Sequence, residues 1–87
     1  MKIELEWKEG RKGYWTLFCG SAYCGNLIEH NTDKLRGKAD GWSIQKKNSS
    51  EFHQEPVEKV RVKIENAAIG FFKDCFDGAE VVVKNSF

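Results

Sequence analysis

Residues 56–76 read PVEKVRVKIENAAIGFFKDCF, and whether this stretch is helix or strand decides what the rest of the chain packs on. At 100° per residue, Val57, Val60, Ile64, Ala67, Ala68, Phe71 and Cys75 fall within one arc of about 100°, the width of a stripe that faces a core. Val60, Val62 and Ile64 also alternate with Arg61, Lys63 and Glu65, which is a strand pattern. That alternation is short, whereas the helical period persists through the stretch, so a helix is predicted. Pro56 suits its first position, where an N–H is not needed, and Gly78 is placed to stop it. A second apolar arc, further round, carries Val62, Ile69, Phe72 and Phe76. One sheet does not cover both arcs. The second is read as a homodimer interface, or as a face covered by Val81 to Val83.

Eighty-seven residues make one domain, 1–87, with a single core. Ile3, Leu5 and Trp7 alternate with Lys2, Glu4, Glu6 and Lys8, the period of a strand with one buried and one wet face. After the turn Gly10 to Gly13 comes Tyr14 to Cys19, apolar on both sides. Trp15, Leu17 and Cys19 point one way, and Tyr14, Thr16 and Phe18 point the other as exposed or partner-covered groups. Gly20 to Tyr23 reverses the chain into a third strand, Cys24 to His30, which would set Cys19 opposite Cys24. Asn31 to Gly41 reads as a long polar loop, of the kind that carries function. Trp42 to Lys47 reads as a fourth strand with Trp42 and Ile44 inward, ended by Asn48, Ser49 and Ser50. Val81 to Val83 is an edge strand or a tail along the helix.

The expected fold is therefore α+β: an antiparallel sheet of three to five strands with one long helix on one face, in two layers. Ile3, Leu5, Trp15, Leu17, Ile28, Ile44, Val60, Ile64 and Phe71 are its expected core.

The opening MKIELEWKEG lacks the apolar run of a signal peptide, and no stretch is apolar for long enough to span a membrane. A cytoplasmic setting is expected. Three cysteines without an export signal read as free thiols. Cys19, Cys24, Cys75 and one of His30 or His53 lack the close-spaced second pair of a structural zinc site, so no metal or other cofactor is expected. Neither histidine sits in a nucleophile–base motif, and there is no phosphate loop, so no catalytic residue is assigned.

The net charge of +1 excludes a strongly polyanionic or polycationic chain, but Lys34, Arg36, Lys38, Lys46 and Lys47 against Asp40 concentrate positive charge in one segment. These five residues, with Trp42 as an aromatic anchor, are the candidate partner-binding set. Two classes of function follow. One is a non-catalytic protein-binding module. The other is a nucleic-acid-binding module that uses this basic loop, Arg11 and Lys12, and the sheet aromatics Tyr14, Phe18 and Tyr23.

Gly13-Tyr14-Trp15-Thr16-Leu17-Phe18, followed by strands and one amphipathic helix, resembles the partial RNase H-like β-β-β-α unit of HicB-type antitoxins. More broadly it resembles the small orphan proteins of phages and mobile elements, anti-CRISPR proteins among them. The antitoxins' short acidic run before the helix is replaced here by the longer Asn31 to Gln54, and no functional residue carries over. The resemblance implies an interaction protein, in some forms inhibitory, of a phage or mobile genetic element.

Overall fold

A computed structural model describes residues 1–45 and 49–84. The elements run β1 (Lys2–Glu9), β2 (Tyr14–Cys19), β3 (Ala22–Glu29), a 3-10 turn (Asp33–Leu35), β4 (Lys38–Ile44), β5 (Ser49–Pro56), α1 (Val57–Cys75) and β6 (Glu80–Val83). They form one helix on one face of a six-stranded sheet of order β5-β4-β3-β2-β1-β6. The sheet is mixed, because β6 pairs parallel with β1 while every other pair is antiparallel. This corrects the expected sheet of three to five antiparallel strands. The last strand finds its partner in the first, a long-range pairing that no local pattern announces.

The helix begins at the β5 edge and ends where the chain turns, through Phe76 O to Ala79 N at 3.0 Å, into β6 at the opposite edge. Val60, Ile64 and Ala68 are its buried residues. They close on Ile3, Leu5, Trp7, Leu17, Cys24, Leu27 and Ala39 to make the core. Trp7, which belongs to the inward alternation of β1, is among the largest fully buried side chains. Its indole Nε1 donates to Glu65 Oε2 at 2.7 Å, and Arg61 Nη1 donates to the same oxygen at 2.9 Å. The buried indole N–H is thus satisfied by a carboxylate whose charge is itself paired.

Close approach of the helix depends on small residues. Ala39, Gly41 and Ser43 of β4 and Gly25 of β3 share the helix face by register. A Cβ at Gly41 would lie 2.6 Å from Ile64 Cδ1 and 2.9 Å from Asn26 O, and one at Gly25 would lie 2.8 Å from Ile64 Cγ2. Ser43 Oγ, fully buried, donates across the layers to Ile64 O at 2.9 Å.

Several expectations change here. Trp42 lies on the face away from the helix, because small residues, not Trp42 and Ile44, fill the inward positions of β4. Ile44 still packs against the core's margin. Ile28 pairs with Asp40 on that same far face. Phe71 is only half-buried, edge-on to Phe72 at 5.3 Å, and Cys75 is exposed although it shares the stripe's angle. The loop from Asn31 is shorter than expected, since a 3-10 turn occupies Asp33–Leu35 and β4 begins at Lys38.

Ser49 and Ser50, expected to end the fourth strand, instead open β5, Ser49–Pro56, the edge strand held by backbone pairing to β4 with Phe52 as its apolar contribution to the core. Cys19 faces Ala22, not Cys24, because the chain reverses over Gly20 and Ser21 alone, a two-residue turn in place of the expected four-residue loop. Val81 to Val83 forms an edge strand, the first of its two readings.

Candidate functional site

The face of the sheet away from α1 is where the candidate functional side chains collect. Alternation along β2 turns Tyr14, Thr16 and Phe18 outward. The β2–β3 register places Tyr23 opposite Phe18, Asn26 opposite Thr16 and Ile28 opposite Tyr14, and the β3–β4 register then places Trp42 opposite Asn26. Tyr23 and Trp42 stack, with ring centroids 5.3 Å apart and an interplanar angle of 15°. Lys8 Nζ lies 5.4 Å from the Phe18 ring and the Arg11 guanidinium 4.4 Å from the Tyr14 ring, both within cation–π range. Tyr23 is 50% exposed and Tyr14 42%. The result is an aromatic band across the middle strands that no described element covers.

Charges border the band. By register the face carries Lys2, Lys8, Lys38 and Lys84 together with Glu4, Glu6, Asp40, Glu51 and Glu80, nearly balanced in sign. Lys8 and Lys84 bracket Glu6 at 3.6 and 3.8 Å. Asp40 Oδ1 accepts from Gln54 N at 2.7 Å, which holds the β4–β5 bulge, and His30 Nε2 lies 3.2 Å from the same oxygen without hydrogen-bond alignment. The Gln54 N–H, more than the neighbouring His30, holds the Asp40 carboxyl below the usual carboxylate range.

Of the residues expected to bind a partner, Trp42 and Lys38 lie on this face. Lys34 and Arg36 are exposed at the 3-10 turn, where Arg36 Nη2 sits 3.3 Å from Asp33 Oδ1. Gly13 O accepts from Glu29 N at 2.8 Å. That contact ties the β1–β2 turn to the end of β3, so Arg11 and Lys12 gather with Lys34, Arg36 and Lys38 at one end of the sheet. Lys46 and Lys47 lie outside the described residues. On the helix, Ile69 and Phe72 pack against the core while Val62 and Phe76 remain exposed, so the second apolar arc is divided. Sequence reasoning missed Asn26, Ile28 and Glu51 as members of the face. Their only signal was the strand pairing itself.

Other chemistry is sparse. A depression of about 360 Å³ is lined by Glu9, Lys12, Gly13, Glu29, His30 and Asn31. Its two carboxylates are already engaged, Glu9 by Gly13 N at 3.2 Å and Glu29 by Trp15 Nε1 at 3.0 Å. Cys24 donates to Leu17 O at 3.3 Å, and burial, helped by Cys19, pushes its thiol up to about 12, so it stays protonated at neutral pH. Among the described residues no group of three or more His, Cys, Asp or Glu is placed to hold a metal ion, and no helix is long and apolar enough to cross a membrane.

Comparison with protein-family models, with curated proteins and with solved structures matches the chain to none of them.

Proposed function

We propose that the chain is a non-catalytic protein-binding module, cytoplasmic and belonging to a phage or mobile genetic element, that docks a partner protein on the open face of its sheet and inhibits by covering it. The observation that carries this reading is the aromatic band of Tyr14, Phe18, Tyr23 and Trp42 inside a rim of balanced charge. That anatomy, large aromatics at the centre and polar groups outside, is the one protein interfaces use. A nucleic acid would meet as many carboxylates as lysines on this face, which disfavours a phosphate backbone.

The experiment is affinity capture from the source cell with three proteins: wild type, Tyr23→Ser with Trp42→Ser, and Lys34, Arg36 and Lys38 each changed to Glu. The reading expects one protein partner that is lost with the aromatic pair and kept with the charge-reversed loop. An identical catch from the aromatic variant would remove the face from the account.

A second reading, nucleic-acid binding, is favoured by one observation: Arg11, Lys12, Lys34, Arg36 and Lys38 converge at one end of the sheet beside Tyr14. It predicts binding to single strands that falls steeply with salt and is abolished by the charge-reversed loop. We also read the chain as a homodimer, since Val62 and Phe76 leave apolar surface on the helix beside Ile69 and Phe72.

A further inference from the structure

The two edges of the sheet differ. At the β5 edge, Gln54 has a left-handed φ of 52° within a bulge, Pro56 lacks an N–H, and Glu51, His53 and Glu55 add charge or potential charge. These are the features that keep a further strand from adding to an edge. The β6 edge has Val81, Val82 and Val83 in a regular ladder with β1, and no described strand lies beyond it.

Backbone direction fixes what this edge offers. Glu80 N donates to Met1 O at 2.9 Å and Lys84 N to Leu5 O at 2.7 Å. Even-numbered residues of β6 therefore turn their N–H and C=O toward β1, and Val81 and Val83 turn theirs outward. The outward groups are centred on Val82. So are the charges: Glu80 precedes the valines, Lys84 follows them, and both share the open face with Val82.

We propose that two copies of the chain pair antiparallel through β6 about a twofold axis at Val82, making one continuous sheet. In this register Val81 of one copy lies opposite Val83 of the other, and their outward N–H and C=O groups satisfy one another. Val82 faces Val82, and each Glu80 lies opposite a Lys84. These last are the non-hydrogen-bonded pairs, in which side chains stand closest. Hydrogen bonding, face and charge thus select the same register, and a slip of two residues would lose both ion pairs. The inference rests on reading the chain as a homodimer. It assigns the pairing to the sheet edge and leaves Phe76, at the turn into β6, at the margin of the joint.

The test is sedimentation over a concentration series with wild type, Glu80→Lys, Lys84→Glu and the double swap. Each single swap turns two attractive pairs into two repulsive ones and should raise the dimer Kd about tenfold. The double swap should restore it. Circular dichroism of each variant establishes that the fold is kept. A wild type that stays monomeric throughout overturns both the homodimer and this edge. A stable dimer indifferent to all three swaps overturns the edge alone.

Oxidative cross-linking is independent of affinity. In a Cys75→Ser background, Val82→Cys should link two copies, because residues facing across the axis have Cα atoms about 4.5 Å apart, within disulfide range. Glu80→Cys should not, since its own copy lies about four residues away along the strand, roughly 13 Å. Equal linking by both variants would overturn the register.

Discussion

The two faces of the sheet are made largely by the same strands and use opposite materials. On β4, Ala39, Gly41 and Ser43 face the helix, while Lys38, Asp40 and Trp42 face outward. Under the helix the covered face is lined by Gly25, Ala39, Gly41 and Ser43 because α1 lies directly on them, with Trp7 filling the space to one side, and the open face of these same middle strands carries Tyr14, Phe18, Tyr23 and Trp42. Apolar size is therefore a poor guide to which side of this sheet is buried. What decides is whether a helix must fit there: where backbones approach closely a large side chain has no volume to occupy, and it turns to the side with space.

The sharpest way to break this contrast is to add one carbon to the covered face. Gly41→Ala places a Cβ 2.6 Å from Ile64 Cδ1, 2.9 Å from Val60 Cγ1 and 2.9 Å from Asn26 O. The helix side chains are fully buried and the third atom is backbone, so relief requires the layers to separate. Overpacking of this kind costs about 3 kcal/mol. Urea denaturation should show it as a large fall in midpoint with little change in slope. A loss under about 0.5 kcal/mol would mean the helix does not sit this close.

Ser43→Ala tests the same face without adding volume. It removes the buried hydroxyl that donates to Ile64 O, while that carbonyl lies within the helix and keeps its helical environment. The expected loss is about 1 kcal/mol. On the open face Tyr23→Ser should cost less than about 1 kcal/mol, since the ring is half exposed and its main contact is the Trp42 stack. If Tyr23→Ser proves costlier than Ser43→Ala, the open face is part of the core and not a surface kept for a partner.

The same contrast explains how much of the fold was legible. The helix was readable nearly to its ends because its apolar period is long, and β1 and β2 were readable because charge or polarity marks one side of β1 and the inward set of β2 is large. On β4 the inward set is Ala, Gly and Ser, which carry little hydrophobic signal, so the sequence pattern points to Trp42 and Ile44 as the inward pair. β5 has Phe52 alone as a strong apolar residue, and its existence follows from pairing with β4. The parallel placement of β6 has no local cause at all. For the candidate site, Tyr14, Phe18 and Tyr23 were visible as surplus aromatics. Trp42 was named as an anchor, yet its stacking on Tyr23 depends on the β3–β4 register and on the bulge that resets Tyr23 against Phe18.

The smallest expected effect concerns the one open-face carboxylate that also shapes the sheet. Asp40 accepts the Gln54 N–H, and that bond, with His30 nearby, lowers its pKa in the folded chain. A carboxyl whose folded pKa lies below its unfolded value of about 3.9 favours folding when ionised. Its contribution is therefore complete above that value and is lost as pH falls through the lowered folded pKa. Asp40→Asn keeps an oxygen able to accept from Gln54 but carries no charge, so the comparison isolates the ionised form. The stability difference between wild type and Asp40→Asn should be constant from about pH 5 to pH 6 and shrink steadily below about pH 4. Glu55 and Glu58 are also lowered, by Lys63 and Arg61, but they are present in both proteins and cancel. Because the Asp40 side chain is 38% exposed, solvent screens the interaction and the plateau should stay under about 1 kcal/mol. A difference that grows toward acid pH would carry the wrong sign and show that the Gln54 bond does not favour the carboxylate.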